Sequence, residues 1–325
     1  MPVRPPKLSK TPSALDFQAT RGDVLADVLG LALLRHALYR RIDGHAPWGL
    51  RVPARPRAMF YLIARGWALL EVEGEKPMSL SACDVVFLPH GTAHVLRDSA
   101  TTQPQLVCDG KESSSPGPRA IGGDGAQTSI VLGFFAHSGR PPALLERMPN
   151  VVALSPTQAS SDPWVLATVQ LMVAESAAPG PASVIILQRL ADILFVQALR
   201  SLSKLTSCKQ SGLAALADPP VHEALALMHA NVAAPWTVAE LASRVGLSRS
   251  GFAERFTRLV GEPPLQYLAR WRIARAVELL RDTRSTVDEI SSRVGYESVP
   301  SFSKAFKRWR GVSPGAFRRA ERAAG

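Results

Sequence analysis

Thr237-Val238-Ala239-Glu240-Leu241-Ala242-Ser243-Arg244-Val245-Gly246 and Thr286-Val287-Asp288-Glu289-Ile290-Ser291-Ser292-Arg293-Val294-Gly295 are one pattern met twice. The offset is 49 residues, and eight of the ten positions match or substitute closely. Beyond the glycine, Phe252, Phe256, Gly261 and Pro264 answer to Phe302, Phe306, Gly311 and Pro314 at an offset of 50 residues, so the second turn holds one more residue. Each copy reads as helix, glycine turn, helix. Thr237 and Thr286 can N-cap the first helix, and a Glu three residues on makes a capping box. Gly246 and Gly295 supply the left-handed backbone that ends it. The second helix opens at Ser248 or near Ser298. It turns Phe252, Phe256 and Leu259, or Phe302, Phe306 and Trp309, inward at i, i+4, i+7.

The opposite stripe faces out. In the first unit it carries Ser250, Ala253, Glu254 and Thr257. In the second it carries Pro300, Ser303, Lys304 and Lys307. A recognition helix in a major groove reads bases with such a face. Between the units, Pro264 to Arg281 places Ile273, Ala276, Val277 and Leu280 at helical spacing, giving a rigid spacer about 27 Å long. That length suits two recognition helices set in successive major grooves, about 34 Å apart.

The charge falls in the same place. The chain has 325 residues and a net charge of +11. Residues 1–218 hold 21 basic and 17 acidic side chains, and residues 219–325 hold 17 and 10, of which 15 of the basic ones are Arg. Arg binds phosphate with a planar fork. Arg249, Arg258, Lys307, Arg308, Arg318 and Arg319 are the expected phosphate contacts, and double-stranded DNA is the expected partner.

Residues 221–320 resemble the AraC/XylS family of bacterial transcription regulators. The resemblance rests on Gly295-Tyr296-Glu297-Ser298 through Phe302, then Ala305-Phe306-Lys307-Arg308, Gly311-Val312-Ser313-Pro314 and Phe317-Arg318. It implies promoter binding, with Ser250, Ala253 and Glu254 facing bases in the first unit and Pro300, Ser301 and Lys304 in the second. The family often has Arg where this chain has Glu254. Glu accepts from a cytosine amine but repels phosphate, so the family's base preference does not carry over to this position. The resemblance also implies RNA polymerase as a partner and a homodimer.

Working toward the N-terminus, 206–220 reads as a linker. Two helices precede it, near Pro163–Ser176 and Pro181–Lys204. From Trp48 to about Leu96, short apolar runs (Met59–Ile63, Trp67–Val72, Val85–Leu88) alternate with Gly and Pro, which suggests antiparallel strands in a sandwich or barrel. Ser129 to Phe135 adds a strand. Residues 98–128 are rich in Ser, Gly, Pro and Thr and read as a long flexible loop. Asp23 to Arg41 reads as helical or mixed, and residues 1–13 as a loose tail. Pro89-His90-Gly91-Thr92-Ala93-His94 is similar to the second motif of cupins, and Ala46 to Arg51 and Arg189 to Leu194 resemble the cupin-type sensor half of some AraC relatives. The expected fold is therefore a cupin-like β-barrel (jelly roll) with helices over 14–205, followed by an all-α domain with two helix-turn-helix motifs joined by a long helix.

The sensor half could take a small-molecule effector. A metal-dependent cupin enzyme is the first alternative. The first-motif strand, Phe60 to Gly66, offers neither His nor Glu, leaving His90 and His94 with Cys83 as the remaining donors, and no cofactor is expected. A thiol-based redox sensor using Cys83 and Cys108 is the second. Three widely spaced cysteines form no disulfide framework, which fits a cytoplasmic protein. The most apolar stretch, Val184 to Leu199, is interrupted by Gln188, Arg189, Asp192 and Gln197, so no membrane span is expected.

Overall fold

A computed structural model describes residues 23–32, 37–55, 57–104, 106–107, 119–135, 146–155, 163–204 and 213–324. The tail at 1–13 and the first part of the linker lie outside them.

Eleven strands form two sheets among the described residues. They are β1 (Ala37–His45), β2 (Gly49–Val52), β3 (Ala58–Arg65), β4 (Trp67–Val72), β5 (Met78–Ser81), β6 (Val85–Leu88), β7 (His94–Arg97), β8 (Leu106–Val107), β9 (Arg119–Gly122), β10 (Gln127–Phe135) and β11 (Val152–Leu154). The six-stranded sheet runs β11-β6-β3-β10-β1-β9, and the five-stranded sheet runs β5-β4-β7-β2-β8. Alternation along β3 serves two cores. Met59, Tyr61 and Ile63 point between the sheets with Trp48, Leu70 and Leu96. Ala58, Phe60 and Leu62 point the other way, onto helices α2 (Pro163–Ala177) and α3 (Ser183–Lys204). There Phe87 and Phe135 meet Phe195 of α3 at ring separations of 5.6 and 4.8 Å. β6 divides in the same way, with Val86 and Leu88 inside the sandwich and Val85 and Phe87 outside.

Two expectations change and a third is refined. Residues 98–128 contribute β8 and β9, whose parallel pairings with β2 and β1 supply hydrogen bonds that the polar composition concealed. Asp23 to Arg41 divides into α1 (Val24–Ala32) and the start of β1. The linker's second part is ordered: α4 (Ala214–Ala217) follows Leu213, and both Leu213 and Ala215 are buried. They buried because they are apolar and sit where the two halves of the chain pack together.

The C-terminal part is all helical: α5 (Pro219–Ala230), α6 (Val238–Arg244), α7 (Arg249–Val260), α8 (Pro264–Asp282), α9 (Val287–Arg293), α10 (Val299–Arg310) and α11 (Pro314–Ala324). One apolar core runs unbroken from Phe60 and Phe195 through Leu213 and Ala215 into Phe252, Phe256 and Trp271 of the first unit. The second unit has its own core, built on Ile273, Leu280, Ile290, Phe302, Phe306 and Phe317.

Candidate nucleic-acid interface

The local signals act as the sequence suggests, with one exception. Thr286 accepts from the Glu289 amide at 3.2 Å, and the Glu289 carboxylate accepts from the Thr286 amide at 2.7 Å, closing a full capping box. Thr237 makes the forward bond alone, accepting from the Glu240 amide at 3.1 Å. Ser248 and Ser298 N-cap α7 and α10, accepting from Gly251 and Ser301. Gly246 ends α6 at φ +69° with open space where a Cβ would stand, so backbone conformation alone calls for glycine there. Gly295 has φ +83° and a second constraint: a Cβ would lie 2.7 Å from both Cα and O of Ala233.

Phe252, Phe256, Phe302 and Phe306 are wholly buried. The opposite stripes are therefore turned outward. Ser250, Glu254, Pro300, Ser301 and Lys304 are exposed, while Ala253, Thr257 and Ser303 are half-buried. The Thr257 hydroxyl donates to the Ala253 carbonyl at 2.7 Å. Among the expected phosphate contacts, Arg249, Arg258, Lys307, Arg308 and Arg319 are exposed. Arg318 is half-buried, and its Nη2 donates to the Ser285 carbonyl at 2.6 Å.

Sequence reasoning missed how much of the Arg content holds the fold together. Arg255 sits beside Glu254 on α7 but points at Asp218, donating from Nε and Nη2 at 2.9 and 2.7 Å. Asp218 also N-caps α5 by accepting from the Val221 amide. Arg281 pairs with Glu321 and stands 5.3 Å over the Phe317 ring, with Arg310 at 5.2 Å. Arg270 pairs with Glu262 at 3.2 Å and with Glu146 of the N-terminal half at 3.3 Å. Arg147 donates to the Arg258 carbonyl at the C-terminal end of α7, where a cation complements the helix dipole. His229 on α5 lies flat against Trp271 at 3.6 Å. Its Nδ1 donates to Asp27 of α1 at 3.1 Å, so Nε2 accepts from the Tyr267 hydroxyl at 2.7 Å. No local pattern marks these pairs, because most partners are distant in sequence, and Arg270–Glu262 and Arg310–Phe317 meet across a helix end rather than along one helix face.

In the sandwich, His94 is buried and both ring nitrogens are engaged. Nδ1 donates to the Thr92 carbonyl at 2.7 Å, which leaves Nε2 to accept from the Tyr61 hydroxyl at 2.7 Å. His90 Nε2 donates to the Met148 carbonyl at 2.8 Å. Among the described residues no cluster of three His, Cys, Asp or Glu side chains could hold a metal. The donor set does not fit a cupin metal. Cys83 is half-buried, with φ +71°, and Cys108 lies outside the described residues.

Burial holds the His94 pKa below its ordinary value. The unfolded chain therefore takes up the proton first as pH falls. The stabilisation by neutral His94 is complete above about pH 6.5 and is lost as pH drops from there toward the folded value. Denaturant midpoints between pH 8 and 5 should fall in the wild type and fall less in His94→Asn. Equal falls would remove His94 as the source.

A two-sheet sandwich with flanking helices, joined to paired helix-turn-helix units with outward basic and polar stripes, is the arrangement of a DNA-binding regulator with an appended cupin-like domain. Residues 23–204 match the family described as Cupin, and residues 241–320 that described as Helix-turn-helix domain. A Streptomyces lividans protein named as an AraC-like transcription regulator is 34% identical over 304 residues, covering 91% of this chain and 98% of that relative. The HTH-type transcriptional regulator AlkR of Acinetobacter baylyi is 29% identical, covering 91% of this chain and 99% of its own length. The chain belongs to the AraC family of transcription regulators. The crystallised DNA-binding domain of AdpA, in complex with a target DNA, is 36% identical over 33% of this chain and 96% of its own, with a TM-score of 0.32. Among the described residues no helix is long and apolar enough to cross a membrane.

Proposed function

We propose that this chain reads promoter DNA through α7 and α10 and that an effector at the N-terminal half biases how it does so. The observation that carries this reading is the shared core: the packing that begins at Phe60 and Phe195 includes Phe252 and Phe256 of α7. Whatever repacks the sandwich and its helices therefore bears on the first recognition helix. A cleft of about 440 Å³ lined by Leu70, Val72, Gly74, Glu75, Lys76, Met78 and Val151 offers an effector a mixed apolar and charged surface at the sandwich.

The base-facing positions are Ser250, Ala253 and Glu254 on α7, with Pro300, Ser301 and Lys304 on α10. Thr257 supports α7 from the rim of that face. The chain acts without enzymatic chemistry, in the cytoplasm, as a homodimer that engages RNA polymerase. Exposed Trp164 and Leu171 on α2 and Val184, Ile185 and Ile193 on α3 support the dimer, since they present apolar surface that association would cover.

Footprinting of the full chain on duplexes from a binding-site selection tests the reading. Protection of one specific duplex at physiological salt is expected, and uniform or absent protection would overturn it. Glu254→Gln should change the preferred base in the first half-site, because the amide can donate as well as accept. The same consensus from both proteins would show that Glu254 does not read a base.

A further inference from the structure

Arg272 lies midway along α8, the helix that joins the two units. Its guanidinium spans the joint between them. Nε donates to the Val232 carbonyl at 2.9 Å and Nη2 to the Ala234 carbonyl at 2.8 Å, both in the loop between α5 and α6 of the first unit. Nη1 donates to the Gly295 carbonyl at 2.9 Å, in the helix-turn-helix turn of the second unit. Its carbon stands 5.9 Å from the centre of the Tyr296 ring, next in sequence to that glycine. The two segments that Arg272 bridges are themselves in contact, since a Cβ on Gly295 would sit 2.7 Å from the Ala233 backbone.

We propose that Arg272 is the positioning residue that locks the two recognition helices at one separation, so that the chain reads its two half-sites at a single spacing. This rests on reading α7 and α10 as the DNA-contacting helices.

The chemistry favours arginine for the task. Helix α8 fixes the distance between the units along its axis, but a helix alone leaves each unit able to swing about its connecting turns. A planar guanidinium with donors at three fixed angles holds backbone on both sides in one geometry. All three acceptors are main-chain carbonyls, so side-chain rotation cannot relax the arrangement. A lysine ammonium is a point donor on a flexible stem and cannot hold three carbonyls in the plane of a fork. Each base pair of added spacer shifts a half-site by about 3.4 Å and rotates it by roughly a tenth of a helical turn. A locked pair of helices cannot follow that displacement, and a loosened pair can.

The test uses the full chain and a duplex recovered by binding-site selection, together with versions that have one base pair inserted or deleted between the half-sites. The wild type is expected to lose at least about tenfold in affinity on either change, as for a mismatched position. Arg272→Ala should bind the preferred duplex more weakly and lose less than about threefold between spacings. Arg272→Lys should fall between them. General destabilisation lowers binding to all three duplexes alike and leaves their ratio unchanged, so the ratio reports positioning. Circular dichroism confirms folding, and if Arg272→Ala does not fold, the ratio for Arg272→Lys decides. A folded variant that keeps the wild-type spacing ratio would overturn the proposal while leaving the DNA-reading assignment standing. A wild type that selects no duplex would overturn both.

Discussion

Phe306→Ala is expected to melt the second helix-turn-helix unit while the rest of the chain stays folded. Phe306 is fully buried and meets the rings of Phe302 and Phe317, each at 5.7 Å. Deleting a buried phenyl ring costs about 3–5 kcal/mol, from lost transfer energy and the cavity left behind. A unit this small has little stability to spare. Its core is separate from the one the first unit shares with the sandwich, so the damage should stay local. Thermal scans should show a new transition below the main one, and limited proteolysis should cut first beyond α8. A single transition shifted as a whole would mean that the two cores melt together.

A second large effect is expected in DNA binding. Raising salt from 50 to 200 mM should lower affinity for the preferred duplex by about a thousandfold, on the order of what six phosphate contacts release in counterions. Counted toward the six are the proposed phosphate contacts Arg249, Arg258, Lys307, Arg308 and Arg319, together with Lys304, whose ammonium on the proposed base-facing stripe also displaces counterions; all six are exposed. Lys304→Ala and Arg308→Ala should each make the log–log slope shallower by about one. Arg318→Ala should leave the slope alone and lower thermal stability instead, because its guanidinium serves the Ser285 carbonyl. Unchanged slopes for both Lys304→Ala and Arg308→Ala would detach the second unit from the phosphates.

The double helix-turn-helix was legible because its signals are local. A cap, a glycine and a phenylalanine stripe all act within one turn or one helix, and Ser248, Gly246 and Phe252 do in the structure what their spacing suggests. The sandwich was legible at β3, β4 and β6, where apolar runs are dense. It was not legible at β8 and β9, whose few residues are held by pairing with strands far away in sequence. The arginines divide on the same ground. Charge counting assigned the basic excess to phosphate, yet Arg255, Arg270, Arg272, Arg281 and Arg318 are engaged by distant partners inside the protein. Nothing adjacent to them in sequence distinguishes them from Arg249 or Arg308.

Strand β3 has a mechanical consequence. From Ala58 to Ile63 every side chain is buried, with alternate ones in the core between the sheets and in the core beneath the helices. The strand is a diaphragm between two chambers. Tyr61 cannot be pushed on one side without moving Phe60 and Leu62 on the other, since neighbours share one backbone. A polar substitution anywhere along this stretch has no solvent face to retreat to, and a displacement there reaches the helices without any hinge or moving loop.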